Sequence, residues 1–133
     1  MLEQDYILRL FQRLILGIQN ARHRKNKDPR VAADMLEALI SDAIGMNMQS
    51  MFALSGESFA SVVHISGIDP RIVEFVVRSL MLESEYLKEA SLTSRASLRE
   101  EQARALAKLY NIEIDEFSVN EDEIEEFCTK IAH

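Results

Sequence analysis

The residues able to do acid, base or nucleophilic chemistry are few in this chain, and their spacing does not gather them. The three histidines, His23, His64 and His133, fall in a polar segment, a short predicted helix and the C-terminal end, without the spacing of a metal site. The single cysteine, Cys128, is five positions from His133, so the two would not share a helix face. It sits instead on an apolar stripe, where a free thiol is commonly a core residue. Glu83 and Glu85, two apart, point in different directions from a helix and make a poor acid–base pair. The acidic run Glu121 to Glu126 lacks the ligand spacing of a calcium loop and reads as a solvated face at the positive end of a helix dipole. No glycine-rich phosphate loop, nucleophile elbow or Walker-type motif is present. The expectation is a protein that is not an enzyme and carries no cofactor or metal.

Binding has better candidates. Arg22, Arg24, Lys25, Lys27 and Arg30, with His23 among them, form a basic segment able to meet phosphates of nucleic acid or anionic lipid. It lacks aromatic side chains for stacking bases, and the chain as a whole carries a formal charge of −7 with a pI near 5.0. The competing reading is a solvated loop that complements the first helix's C-terminus and is offset by acidic surface, from the same chain or a partner copy. Met46, Met48 and Met51 are the second candidate. Methionine can line an adaptable groove, although filling irregular core gaps is the commoner use. The first helix, amphipathic and arginine-bearing, is the third, since it could lie on a membrane surface. A core-facing helix explains the same pattern.

The elements that position these residues are helices. The only two prolines stand in matching phrases, Asp28-Pro29-Arg30-Val31 and Asp69-Pro70-Arg71-Ile72. Aspartate caps orphan N–H groups and proline at the first helical position has no N–H to lose, so each phrase predicts a helix start. A leucine follows each at the same offset, Leu39 and Leu80, which suggests two related helical units. Ile7, Leu10, Phe11, Leu14 and Ile18 predict a first helix from Leu2 to about Arg22, with His23 to Lys27 as a loop. Helix two buries Met35, Leu36, Leu39, Ile40 and Ile44 and stops at Gly45 as a left-handed cap. A short helix from Gly56 to Ile65 follows, then helix four from Asp69-Pro70 to about Ala90. Its Ile72, Val73, Phe75, Val76, Val77 and Leu80 cover most of its circumference and make it the central helix. Ser97-x-x-Glu100 suggests a capping box for helix five, with Asn111 as its stop. Asn120-x-x-Glu123 suggests another for a last helix on which Ile124, Phe127, Cys128 and Ile131 form a stripe.

At 133 residues with 47% apolar content, four glycines and two prolines, the chain fits one all-α domain, 1–133, of about six helices. The acidic, interrupted N-terminal run is neither a secretory signal nor a membrane span, and one cysteine suits a reducing compartment, so a cytoplasmic location is expected. Charge is polarised. Residues 1–30 hold seven basic and three acidic residues, whereas residues 111–133 hold eight acidic residues and only Lys130.

Four phrases together resemble an uncharacterised family of small helical proteins of Gram-positive bacteria. They are Gln4-Asp5-Tyr6-Ile7-Leu8-Arg9, Gly45-Met46, Leu54-Ser55-Gly56-Glu57-Ser58-Phe59 and the stretch Glu101 to Tyr110. The resemblance implies a tetratricopeptide-like fold and brings no activity, cofactor or catalytic residue. Tyr86-Leu87-Lys88-Glu89-Ala90 with Ala103-Arg104-Ala105-Leu106 is similar to the two helices of one such repeat. The usual turn glycine is replaced by Ser91 and Leu92, and the 41-residue recurrence of the proline phrases exceeds the usual 34-residue period. The expected function is a protein-interaction module, monomeric or homodimeric. The alternative is a small regulator that binds nucleic acid or anionic lipid through residues 22–30.

Overall fold

The computed structural model describes the backbone of residues 2–45, 49–115 and 120–133, with side chains from Asp5 onward in those ranges. Among the described residues there are six α-helices and no strand: α1 (Leu2–Lys25), α2 (Pro29–Ile44), α3 (Gly56–Ile65), α4 (Pro70–Glu89), α5 (Thr93–Leu109) and α6 (Glu121–Ala132). A 3-10 turn, Met51–Ala53, precedes α3. Helix α4 is the centre: it packs against α5, α2 and α6, while α1 lies across α2 and α6, and α3 lies along α5. No described helix is long and apolar enough to cross a membrane.

Both proline phrases start helices. Asp28 accepts a hydrogen bond from the Val31 N–H at 3.2 Å, and Asp69 accepts one from the Arg71 N–H at 2.8 Å, with each proline in the first turn. Gly45 ends α2 at φ 78°, the left-handed conformation that L side chains disfavour. Asn120 caps α6 through the Glu123 N–H. Phe75, Val76 and Val77 are fully buried, as is Leu80 on the same helix. Phe11 of α1 stands edge-on to both Phe75 of α4 and Phe127 of α6, at 6.2 and 6.1 Å between ring centroids, so one aromatic side chain joins three helices.

Two sequence expectations change. Helix α1 runs on to Lys25, so His23 to Lys25 belong to its last turn rather than to a loop. Four basic residues there meet the negative end of the dipole and extend the helix, and the Lys27 and Asp28 N–H groups both bond to the Arg24 carbonyl. Helix α5 begins at Thr93, which places Ser97 inside the helix, not at a capping box. The α4–α5 turn is tight: the Leu92 N–H bonds to the Leu87 carbonyl and the Ser91 N–H to the Lys88 carbonyl. Ser91 takes φ 61° there. The chain therefore adopts the left-handed turn that glycine usually serves, with a serine in its place.

Candidate functional site

The basic segment is divided by the fold. On the last turn of α1, Arg22 donates to Asp122 at 2.6 Å and to Glu125 at 3.2 Å, and Lys25 pairs with Glu121 at 3.4 Å. Gln19, one turn earlier, donates to Glu125 at 2.8 Å. Glu121 also accepts from the Tyr86 hydroxyl of α4 at 2.9 Å, and the Lys25 ammonium lies 5.5 Å from the Tyr86 ring. The acidic face of α6 is thus a polar seam along α1, with Ile124 and Cys128 fully buried beneath it. The Asp122 carboxylate holds the Arg22 guanidinium above its ordinary pKa. Partial burial alone would raise Glu121, but hydrogen bonds from its own backbone N–H, Tyr86 and Lys25 bring it below the usual range. Arg24, Lys27 and Arg30 remain exposed, without an ion pair among the described residues.

The other sequence candidates separate. Met51 is buried in the 3-10 turn beside Phe52 and belongs to the core cluster. Met46 and Met48 lie outside the described residues. Cys128 is buried, and burial pushes its thiol up to about 12, so it stays protonated and unreactive as a nucleophile. His64 faces the Tyr110 ring at 5.7 Å, and His23 and His133 are exposed at helix ends. Among the described residues no group of three or more His, Cys, Asp or Glu side chains is placed to hold a metal ion.

What sequence reasoning missed is a charged cluster inside the protein. Arg99 of α5 is 5% exposed and its guanidinium makes five hydrogen bonds to four groups. It donates to Glu37 of α2 at 2.9 and 3.2 Å, to Glu83 of α4 at 2.9 Å, to the Phe52 carbonyl at 2.8 Å and to the Gln102 side chain at 3.3 Å. Its plane also covers the Phe52 ring at 4.7 Å. Gln102 donates to the Phe52 and Leu54 carbonyls at 3.0 and 2.8 Å, and Arg95 reaches Glu37 at 3.0 Å and Asp34 at 3.2 Å. One turn of α5 therefore fastens α2, α4 and the segment before α3.

The charges in that cluster are not symmetric. Burial pushes the fully inaccessible Glu83 carboxyl well above the carboxylate range, and the neighbouring Glu37 carboxylate raises it further. Burial also acts to raise Glu37, but hydrogen bonds from Glu83, Arg99 and Arg95 carry it below its ordinary value. The two carboxyls therefore lean in opposite directions, Glu83 towards its neutral form and Glu37 towards the ionised form that balances Arg99. Glu83 Oε1 and Ser79 Oγ, one turn away, are buried side-chain atoms without a hydrogen-bond partner among the described residues. Both of these buried ionisable residues occupy core positions in the sequence: Glu83 lies between Leu80 and Leu87 on the α4 stripe, and Arg99 between Ala96 and Ala103 on that of α5. A carboxylate and an arginine at stripe positions of consecutive helices was the available signal.

Two shallow grooves reach the surface at exposed apolar side chains. One, of about 510 Å³, is lined by Tyr6, Arg9, Gln12, Arg13 and Leu16 of α1, with Tyr6 53% and Leu16 61% exposed. The other, of about 540 Å³, runs between α3 and α5 along Glu57, Ala60, Ser61, Ala105, Lys108 and Leu109. Ile65, 83% exposed, ends α3. Comparison of the chain with protein families, with curated proteins and with solved structures finds no match.

Proposed function

We propose that this protein is a non-catalytic protein-interaction module, a tetratricopeptide-like helical scaffold of the bacterial cytoplasm. The observation that carries the reading is the distribution of polar and apolar groups. Its buried ionisable side chains bind one another between helices, out of reach of a substrate, while large apolar side chains stand exposed beside two shallow grooves. Exposed apolar patches rimmed by polar groups suit protein contact. The close α4–α5 hairpin, turning at Ser91, is the element that favours a tetratricopeptide-like packing.

The alternative, binding of nucleic acid or anionic lipid through Arg22, Arg24, Lys25, Lys27 and Arg30, rests on three cations, because Arg22 and Lys25 already hold α6. The chain's net charge of −7 opposes it at long range. The test is affinity capture from a Gram-positive lysate with the wild type and with Leu16→Ser and Leu109→Ser variants. Proteins retained by the wild type and lost from either variant support the module. Retention of nucleic acid alone, abolished by neutralising Arg24, Lys27 and Arg30, overturns it. Light-scattering mass of the purified protein decides whether a second copy is among the partners.

A further inference from the structure

Helix α1 holds an acidic helix on one side and leaves a second cationic face empty-handed on another. The held side is the seam to α6, where Glu121 and Glu125, one helical turn apart, meet Lys25 and Arg22. The other face carries Arg9 and Arg13, also one turn apart, between the exposed rings and branches of Tyr6 and Leu16. Neither arginine makes an ion pair with a described residue, and Asp5, one turn before Arg9, is exposed and does not reach it. Among the described residues, the groove they line contains no carboxylate. On a chain of net charge −7, an unopposed pair of arginines flanked by apolar side chains is a local inversion of the protein's own field.

We propose that the face Tyr6–Arg9–Arg13–Leu16 docks an acidic amphipathic helix of a partner protein, with two carboxylates one turn apart on the arginines and apolar side chains against Tyr6 and Leu16. The inference rests on the interaction-module reading and names the partner's chemistry. Charge complementarity selects this occupant, and the α6 seam is an example, on the same helix, of the pairing it requires. Arginine suits the role because its planar fork donates two parallel hydrogen bonds to a carboxylate. Two copies meeting through this face about a two-fold axis would set arginine against arginine. A membrane surface needs a continuous apolar stripe, whereas Tyr6 and Leu16 stand about 15 Å apart along the axis, with Arg9, Gln12 and Arg13 between them.

The test is fluorescence anisotropy of the full-length protein with a labelled helical peptide of alanine, leucine and glutamate, its glutamates paired one turn apart beside leucines. Controls are the same peptide with glutamine, and with lysine, at the paired positions. The expected result at about 50 mM salt is binding at about 100 μM or tighter, weakened about tenfold by the glutamine peptide and by rising salt. The double variant Arg9→Glu/Arg13→Glu, which changes exposed side chains only, should lose the glutamate peptide and gain the lysine one. No binding at millimolar concentration, equal binding of the glutamine peptide, or an equal loss on Arg24→Glu/Lys27→Glu overturns the proposal. So does tighter adherence to phosphatidylserine vesicles than to the peptide. A lysate partner lost only from Leu109→Ser, with the peptide failing here, would remove this face and leave the module reading intact.

Discussion

The protein contains two assemblies of arginine and carboxylate that use the same chemistry in opposite surroundings. Around Arg99, with its side chain 6% exposed, a guanidinium, two carboxyls, the Gln102 amide and the Phe52 and Leu54 carbonyls meet between α2, α4, α5 and the segment before α3. Along α1 and α6, Arg22 is 46% and Asp122 77% exposed, yet their 2.6 Å pair is the shorter one. Distance is therefore no guide to what each contributes. In water, an exposed pair gains little because solvent screens it. In the interior, each group has lost its hydration and depends on its partners, so loss of one partner leaves the others uncompensated. The buried cluster specifies how helices meet. The exposed seam adjusts how firmly one terminal helix, already seated by Phe127, Ile124 and Cys128, lies on the rest.

The largest effect expected from this contrast is that of Arg99→Met. It takes the donor from the buried Glu83 Oε2, leaves Glu37 with Arg95 alone and removes a donor from the Phe52 carbonyl, and should cost about 3–5 kcal/mol in denaturant unfolding, as breaking a buried pair does. A cost below about 1 kcal/mol would place Arg99 with the surface pairs.

Glu83→Gln sharpens the point, because its sign depends on which carboxyl bears the proton. A carboxyl held above its unfolded value of 4.5 contributes stability that is complete below that pH and is lost as pH rises towards the folded-state value. Glu37, held below 4.5, does the reverse and loses its contribution as pH falls. The glutamine variant keeps a neutral group at position 83 and escapes the loss on the alkaline side. Its melting temperature relative to the wild type should therefore climb as pH is raised from about 5 to 8. A variant that instead becomes progressively less stable than the wild type over that range would mean that Glu83 is ionised and paired with Arg99.

Much of the fold was legible because it depends on local rules. Asp28-Pro29, Asp69-Pro70, Gly45 and Asn120 act within a turn of themselves, and each lies where its chemistry predicts. The apolar stripe of α4 likewise marked the central helix. The misses were of two kinds. Ser97 carried a capping signal that the Leu92–Leu87 turn bond overrode by starting α5 earlier. Glu37, Glu83 and Arg99 are separated by 46 and 16 positions, and only the packing of three helices turns them into one site. The partnership of the basic and acidic ends was visible as charge, but which residues meet was not: Arg22 and Lys25 are engaged, and their neighbours Arg24 and Lys27 point elsewhere.

A smaller effect is expected at Gly56, where α3 begins against α5. Its N–H donates to the Glu101 carboxylate at 2.7 Å, and a Cβ there would stand 2.7 Å from the Glu101 backbone carbonyl oxygen. A backbone atom cannot step aside as a side chain can. Gly56→Ala should cost about 1–3 kcal/mol by forcing α3 away from α5, despite the better helix propensity of alanine. Hydrogen exchange should rise in α3 first. An unchanged or raised stability would mean that α3 is held too loosely to feel the clash, and would confine the rigid cluster to α2, α4 and α5.

The smallest effect belongs to the exposed seam, and it should differ in kind as well as size. Arg22→Gln removes the donor to Asp122 and Glu125 but leaves Ile124 and Cys128 buried and Phe127 against Phe11. Global unfolding should be barely altered, whereas amide exchange in α6 should quicken, because a terminal helix can open without the rest. Added salt should reproduce that quickening in the wild type and do nothing more to the variant, since the same screened attraction is missing from both. Salt should leave exchange in α5 around Arg99 untouched. If salt loosens α5 as much as α6, the buried cluster is open to solvent ions and the two assemblies are one kind of interaction after all. If Arg22→Gln unfolds the whole chain as readily as Arg99→Met, α6 is no appendage, and the seam belongs to the cooperative core.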